Sequence, residues 1–163
     1  MANRVFWRRF FLGATLATAA LIFFFSAQQG PDSSQMSEGL TLFVARLIRP
    51  GLMELPDAEK LAFLDRLGYI VRKCAHFSEF ALLGFNLTAW LWLRRPDRPR
   101  IRALPRAWGL ATLYAATDEL HQMFVAERGP ALLDVCIDSA GALAGVLVML
   151  LILWFIVNRQ QPN

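Results

Sequence analysis

The sequence predicts an all-α membrane protein with four transmembrane helices and interfacial amphipathic helices in the first outer loop. Three observations carry this. Charged residues make up 18% of the chain, against about 25% in soluble domains. The charge is also segregated, with long stretches almost free of it and short, dense segments between them. Finally, 56% of the 163 residues are hydrophobic, 13 Phe and 5 Trp among them. They fall into blocks of about 20 residues, the length a spanning helix needs. One domain, residues 1–163, accommodates the whole pattern.

The first block runs from about residue 5 to 27 and opens behind Arg4, Arg8 and Arg9. A cleaved signal peptide also begins this way. The apolar run is long for one, and Phe25 stands where a small residue is preferred, so an uncleaved span is expected. Residues 28–69 form the longest connection. Pro31, Asp32, Ser33 and Ser34 read as a turn. Leu40, Phe43, Val44, Leu47 and Ile48 then recur at helical spacing. A second amphipathic piece follows Pro56, with Leu61, Leu64, Leu67 and Ile70. Neither piece is long enough to span. Helices lying on the bilayer surface fit both, and a small folded loop is the alternative.

The second span covers about 71–93, nearly apolar from Phe80 onward. The next loop, Arg94 to Arg106, holds six arginines against one acid, Asp97, with Pro96, Pro99 and Pro105 keeping it from being helical throughout. The third span covers about 107–126 and the fourth about 132–157, separated by a turn at Arg128, Gly129 and Pro130.

Net charge is +4. The positive residues flank apolar blocks instead of lining a soluble element, so membrane orientation explains them and nucleic acid is not expected as a partner. Cytoplasmic loops carry the excess of Lys and Arg. Residues 28–69 hold six acids against four bases. The N-terminus, the Arg94–Arg106 loop and the C-terminus are therefore expected in the cytoplasm, and membrane lipid is the expected surrounding.

That orientation places three sequence-distant polar clusters at one depth. Lys73, His76 and Glu79 lie in the outer third of the second span. Asp118, Glu119, His121 and Gln122 lie in that of the third, and Asp134 and Asp138 in that of the fourth. Steps of three and four residues put Lys73, His76 and Glu79 on one helix face, Asp118, His121 and Gln122 on another, and Asp134 and Asp138 on a third. A charge at membrane depth costs about 2.5–3.5 kcal/mol, so these groups must face one another, a wet pocket or a ligand. Polar glue is the structural alternative, but interhelical hydrogen bonds in membranes average about 0.6 kcal/mol.

Three chemistries fit. Arg72, Lys73 and Arg128 as cations, with His76 or His121 as acid or base, suit a phosphate or carboxylate. His76, Glu79, His121, Asp118 and Asp134 include metal-ligand types, but no spacing matches a zinc motif; no metal ligand is assigned and the cofactor stays undetermined. Acids and histidines in a row also suit proton relay. The acid–base candidates are His76, Glu79, Asp118, Glu119, His121, Asp134 and Asp138. Candidate ligand-holding residues are Arg72, Lys73, Gln122, Arg128, Ser26 and Gln28, the last two closing the first span. Cys74 and Cys136 lack any C-x-x-C partner and read as free thiols, although spacing leaves a bond between them open. Gly141 and Gly145 read as a close-packing pair.

Taken together these residues resemble the VanZ-like family of bacterial membrane proteins. The likeness runs through R-K-x-A-H-F-x-E at Arg72 to Glu79 and D-E-x-H-Q at Asp118 to Gln122. It continues in Arg128 and in D-x-x-x-D with a following glycine at Asp134, Asp138 and Gly141, and includes S-x-Q at Ser26 and Gln28. It covers nearly the whole chain in order, while the loop Arg94 to Arg106 looks peculiar to this sequence. The resemblance implies a four-span bacterial inner-membrane protein. The family is named for a member linked to resistance to the glycopeptide antibiotic teicoplanin, and no reaction comes with the likeness. The expected function is an extracytoplasmic-side polar pocket that binds or modifies an anionic cell-envelope molecule, such as a lipid-linked wall precursor. The alternative is a non-catalytic membrane protein whose polar cluster fixes helix packing or a partner interface.

Overall fold

The structure, a computed structural model, describes residues 2–28, 30–125 and 131–158, with side chains described from Asn3 onward except at 30–36. These residues form five α-helices and two short 3-10 turns. The helices are α1 (Ala2–Ser26), α2 (Gly30–Ile48), α3 (Asp57–Arg94), α4 (Leu104–Gln122) and α5 (Leu132–Asn158). The turns, Pro50–Glu54 and Arg100–Ala103, precede α3 and α4. No strand occurs among the described residues. Two helices, α1 from Asn3 to Ser26 and α5, are long and apolar enough to cross a membrane.

Two local expectations are corrected. Pro31 to Ser34 are not a turn, because α2 begins at Gly30. Proline fits the first helical turn, where its missing N–H has no intrahelical partner anyway, and Asp and Ser are common helix-start residues. The amphipathic piece after Pro56 is likewise not separate from the second apolar block: α3 runs unbroken for 38 residues. It contains no proline, and its two glycines are both packed, Gly68 against Thr41 of α2 and Gly84 against Ala142 of α5. An internal glycine costs only about 1 kcal/mol. The start of α3 is acidic, with Asp57 and Glu59 in its first turn, where the helix dipole favours them. Lys60 donates to Asp57 at 2.7 Å and holds that carboxyl below its ordinary range. At the other end of the chain's polar region, α4 stops at Gln122, short of residue 126. It closes in a tight turn in which the Phe124 N–H donates to the His121 carbonyl at 2.9 Å.

Helices α1, α3, α4 and α5 pack around one core. Its centre is Ile22, Phe80, Leu83, Leu87, Val146 and the alanine row Ala107, Ala111 and Ala115. Paired contacts fix their directions. Tyr114 donates to the Ala19 carbonyl and Gln122 to the Ser26 hydroxyl, so α1 and α4 run the same way. Lys73 meets Asp134, and farther along Phe77 meets Gly141 and Ala81 meets Gly145, so α3 and α5 run the same way. Thr112 bonds Ser139 while Glu119 accepts from the Ala131 N–H, so α4 opposes α5. The four helices therefore alternate in direction along the chain.

The α3–α5 contact is the tightest. A Cβ added at Gly145 would overlap the Ala81 carbonyl, one at Gly141 that of Phe77, and one at Gly84 that of Ala142. Small-residue contacts of this kind let helix backbones touch. They also lock the axial register of α3 on α5, which aligns the polar residues one to two turns before them. Four of the five tryptophans, Trp7, Trp90, Trp92 and Trp154, sit toward the opposite end, with the arginines of the 94–106 loop, while the Trp108 indole donates to Ser139 Oγ at 3.0 Å.

Candidate functional site

Side chains from α1, α3, α4 and α5 meet in one polar layer at the end of the bundle away from the arginine loop. The Lys73 ammonium reaches both oxygens of Asp134 at 2.5 Å, and its Nζ lies 5.0 Å from the Tyr69 ring centre. One turn deeper, His76 Nδ1 is 4.0 Å from Asp138 Oδ1. Asp138 is in turn within Coulombic reach of Asp118, Glu119, Asp134 and Glu79. On α4, Gln122 donates to Asp118 Oδ2 at 3.1 Å and to Ser26 Oγ at 3.0 Å. Glu119 accepts from the Ala131 N–H at 2.9 Å, which ties the start of α5 to the end of α4.

The layer divides into satisfied and unsatisfied groups. Asp134, Glu119, Gln122 and Ser26 have the partners just given. Asp138, 0% exposed, has no hydrogen-bond partner on either carboxylate oxygen among the described residues, and Asp118 Oδ1 has none either. A buried polar atom without a partner costs about 1–3 kcal/mol, and more when charged. The unsatisfied carboxylate is therefore the least stable feature of the layer and the point at which a proton or ligand atom would gain most. Among the described residues, no three His, Cys, Asp or Glu side chains are arranged to hold a metal ion together.

A family profile described as VanZ/LLP1 matches residues 11–155. The chain belongs to the VanZ/LLP1 family. Comparisons with curated proteins and with solved structures give no match. The VanZ/LLP1 segment takes in the whole polar layer from Ser26 to Asp138, the three close-packing glycines and the arginine loop.

Not every residue expected at the site joins the layer of this VanZ/LLP1 chain. Lys73, His76, Glu79, Asp118, Glu119, Gln122, Asp134, Asp138 and Ser26 come together. Arg72 does not: it is one residue from Lys73, a rotation of about 100°, and it lines a groove against α2 with Thr41 and Asp65. Gln28 donates to the Phe24 carbonyl of its own helix at 3.3 Å. His121 turns from the layer toward α1, its ring centre 4.6 Å from that of Phe23. Arg128 lies outside the described residues. Cys74 and Cys136 are free and exposed.

Two polar groups deeper in the bundle were not foreseen. Asn86, 5% exposed, donates to Thr18 Oγ1 at 3.3 Å, and the Tyr114 hydroxyl donates to the Ala19 carbonyl at 2.7 Å. The signal for Asn86 was available, since it is the one amide in the apolar run from Phe80 to Leu93.

Proposed function

We propose that this is a four-span protein of the bacterial inner membrane whose polar layer, near the outer leaflet, binds or modifies an anionic cell-envelope molecule. In this reading α1, α3 from about residue 71, α4 and α5 cross the bilayer. Both termini and the arginine loop are cytoplasmic. The alternating helix directions support it, as do the basic segments gathered at one end, the pattern of a cytoplasmic interface. The charges of α3 and α4 make them poor spans by composition. Asp118, Glu119 and Asp138 are each under 5% exposed, however, which is how spanning helices accommodate ionisable residues.

The single observation that carries a functional site is Asp138, fully enclosed with no hydrogen-bond partner on either oxygen among the described residues and only the His76 imidazole 4.0 Å away. Packing glue is satisfied by design, and this carboxylate is not. Asp138 and His76 hold and move the proton in the proposed site, with Asp118 and Glu79 setting the field around them. Lys73 is the cation of the layer, and an incoming phosphate or carboxylate takes the place of Asp134 on its ammonium. A link to glycopeptide resistance is carried by the family alone.

The test is complementation of a deletion strain, read as teicoplanin susceptibility and as the pool of lipid-linked wall precursors. Asp138→Asn and His76→Gln are expected to lose complementation while purifying as folded protein. Full complementation by Asp138→Asn would sink the proposal. The packing reading is favoured by one specific observation, the glycine register that sets Lys73 against Asp134. It expects the exchange Lys73→Asp with Asp134→Lys to retain function, whereas a site that needs the cation on α3 expects loss.

A further inference from the structure

The six arginines of the loop do more than add positive charge to one side of the bundle. Arg94, Arg95, Arg98, Arg100, Arg102 and Arg106 all line a single cavity of about 260 Å³, floored by Leu91 and Trp92. Orientation by charge requires a count of basic residues near the span ends, and has no need for them to converge. Convergence brings six like charges together, which is unfavourable without an anion between them. Asp97 is the one acid in the segment, and among the described residues none of the six arginines forms an ion pair. Two are tied to the protein in other ways. Arg100 donates to the Leu153 carbonyl at 2.7 Å, which fastens the loop to α5. Arg94 stacks over Trp90 at 5.0 Å. The cup is therefore held in shape by Arg100 and Arg94, while Arg95, Arg98, Arg102 and Arg106 line it with no ion pair among the described residues.

We infer that this cup is a binding site for the phosphate-bearing headgroup of an anionic phospholipid. Guanidinium forks match phosphate oxygens two at a time, and Arg is preferred wherever that geometry matters. At about 260 Å³ the cup is at the small end of ligand pockets, a size that suits a headgroup. Position decides the source. The floor residues Leu91 and Trp92 belong to the last turn of α3, and Trp90, Trp92 and Trp154 lie beside the cup, where such rings mark the level of lipid headgroups. Basic pockets between spanning helices are known to take anionic headgroups. The inference goes beyond the function proposed for the polar layer, which lies at the other end of the bundle, and it holds whichever side of the membrane each end faces.

The experiment is native mass spectrometry of the full chain in mild detergent, titrated with phosphatidylglycerol or with phosphatidylcholine of the same acyl chains. Phosphatidylglycerol is expected to bind as one retained copy at least tenfold more tightly than phosphatidylcholine. Arg95→Gln, Arg98→Gln and Arg102→Gln combined are expected to erase that preference. Because loss of three charges can disturb insertion, the corresponding three Arg→Lys changes provide a second variant. They keep the charge and are expected to weaken the preference several-fold while the protein stays folded. Equal binding of the two lipids, or an unchanged preference in the Gln variant, overturns the inference. Complete displacement of phosphatidylglycerol by millimolar inorganic phosphate also overturns it, since the site would then serve a soluble anion.

Discussion

Replacing Gly145 with alanine adds one methyl group at the point where α3 and α5 approach most closely. The new Cβ would overlap the Ala81 carbonyl, a backbone group that cannot rotate away. The helices must separate locally. Forcing an extra carbon into a packed contact costs about 1–3 kcal/mol. Alanine returns about 0.5–1 kcal/mol through its better helix propensity, leaving a net loss of up to about 2.5 kcal/mol. For a chain of this size each kcal/mol corresponds to about 2–4 °C, so the melting temperature in detergent is expected to fall by up to about 10 °C. Gly109→Ala is the matched control. Gly109 has no atom within 4 Å of an added Cβ, so the same substitution is expected to raise the melting temperature slightly. Thermal unfolding followed by intrinsic fluorescence in one detergent measures both. A Gly145→Ala protein that melts at or above Gly109→Ala refutes the claim that backbone contact sets the α3–α5 register.

Further outcomes follow from other contacts. Lys73 and Asp134 are each about one-fifth exposed, so the pair lies between a surface and a buried ion pair. Lys73→Met alone is expected to destabilise by about 1–3 kcal/mol, and adding Asp134→Leu is expected to recover most of that in a double-mutant cycle. Asn86→Leu removes one interhelical hydrogen bond to Thr18 and is expected to cost under about 1 kcal/mol. That is less than the Lys73 change and is measured by the same melting assay. Sidedness is tested with single cysteines in a chain lacking Cys74 and Cys136. A membrane-impermeant maleimide is expected to label Lys60→Cys in intact cells and Arg98→Cys only after the membrane is opened; the reverse pattern inverts the proposed orientation.

Much of the architecture was legible because apolar length and charge placement are written directly in the residue order. The ends of α1 and α5 fall within a few residues of the expected limits. Which residues gather in the polar layer was legible where three- and four-residue steps carried it, as for Lys73, His76 and Glu79. It failed where neighbours in sequence were grouped by type alone: Arg72 was expected beside Lys73, and helical rotation sends it to α2. The continuity of α3 was missed because amphipathic and apolar patterns look like two elements, while the backbone sees only the absence of a breaker between Asp57 and Arg94. No sequence pattern separates Asp134, which has Lys73, from Asp138, which has no hydrogen-bond partner among the described residues. That difference depends on which groups from other helices arrive, a three-dimensional property.

The unbroken length of α3 gives the protein a mechanical element. At 1.5 Å per residue, its 38 residues extend about 57 Å, nearly twice the roughly 30 Å of hydrocarbon in a bilayer. The part before Lys73 is a stiff arm about 24 Å long, braced by α2. No break separates arm and layer, so the arm carries Lys73 and His76 on the same continuous helix. A 5° tilt of the arm about Lys73 would correspond to about 2 Å at its tip, which makes the arm's seat against α2 the nearest outside constraint on where the lysine and the imidazole stand.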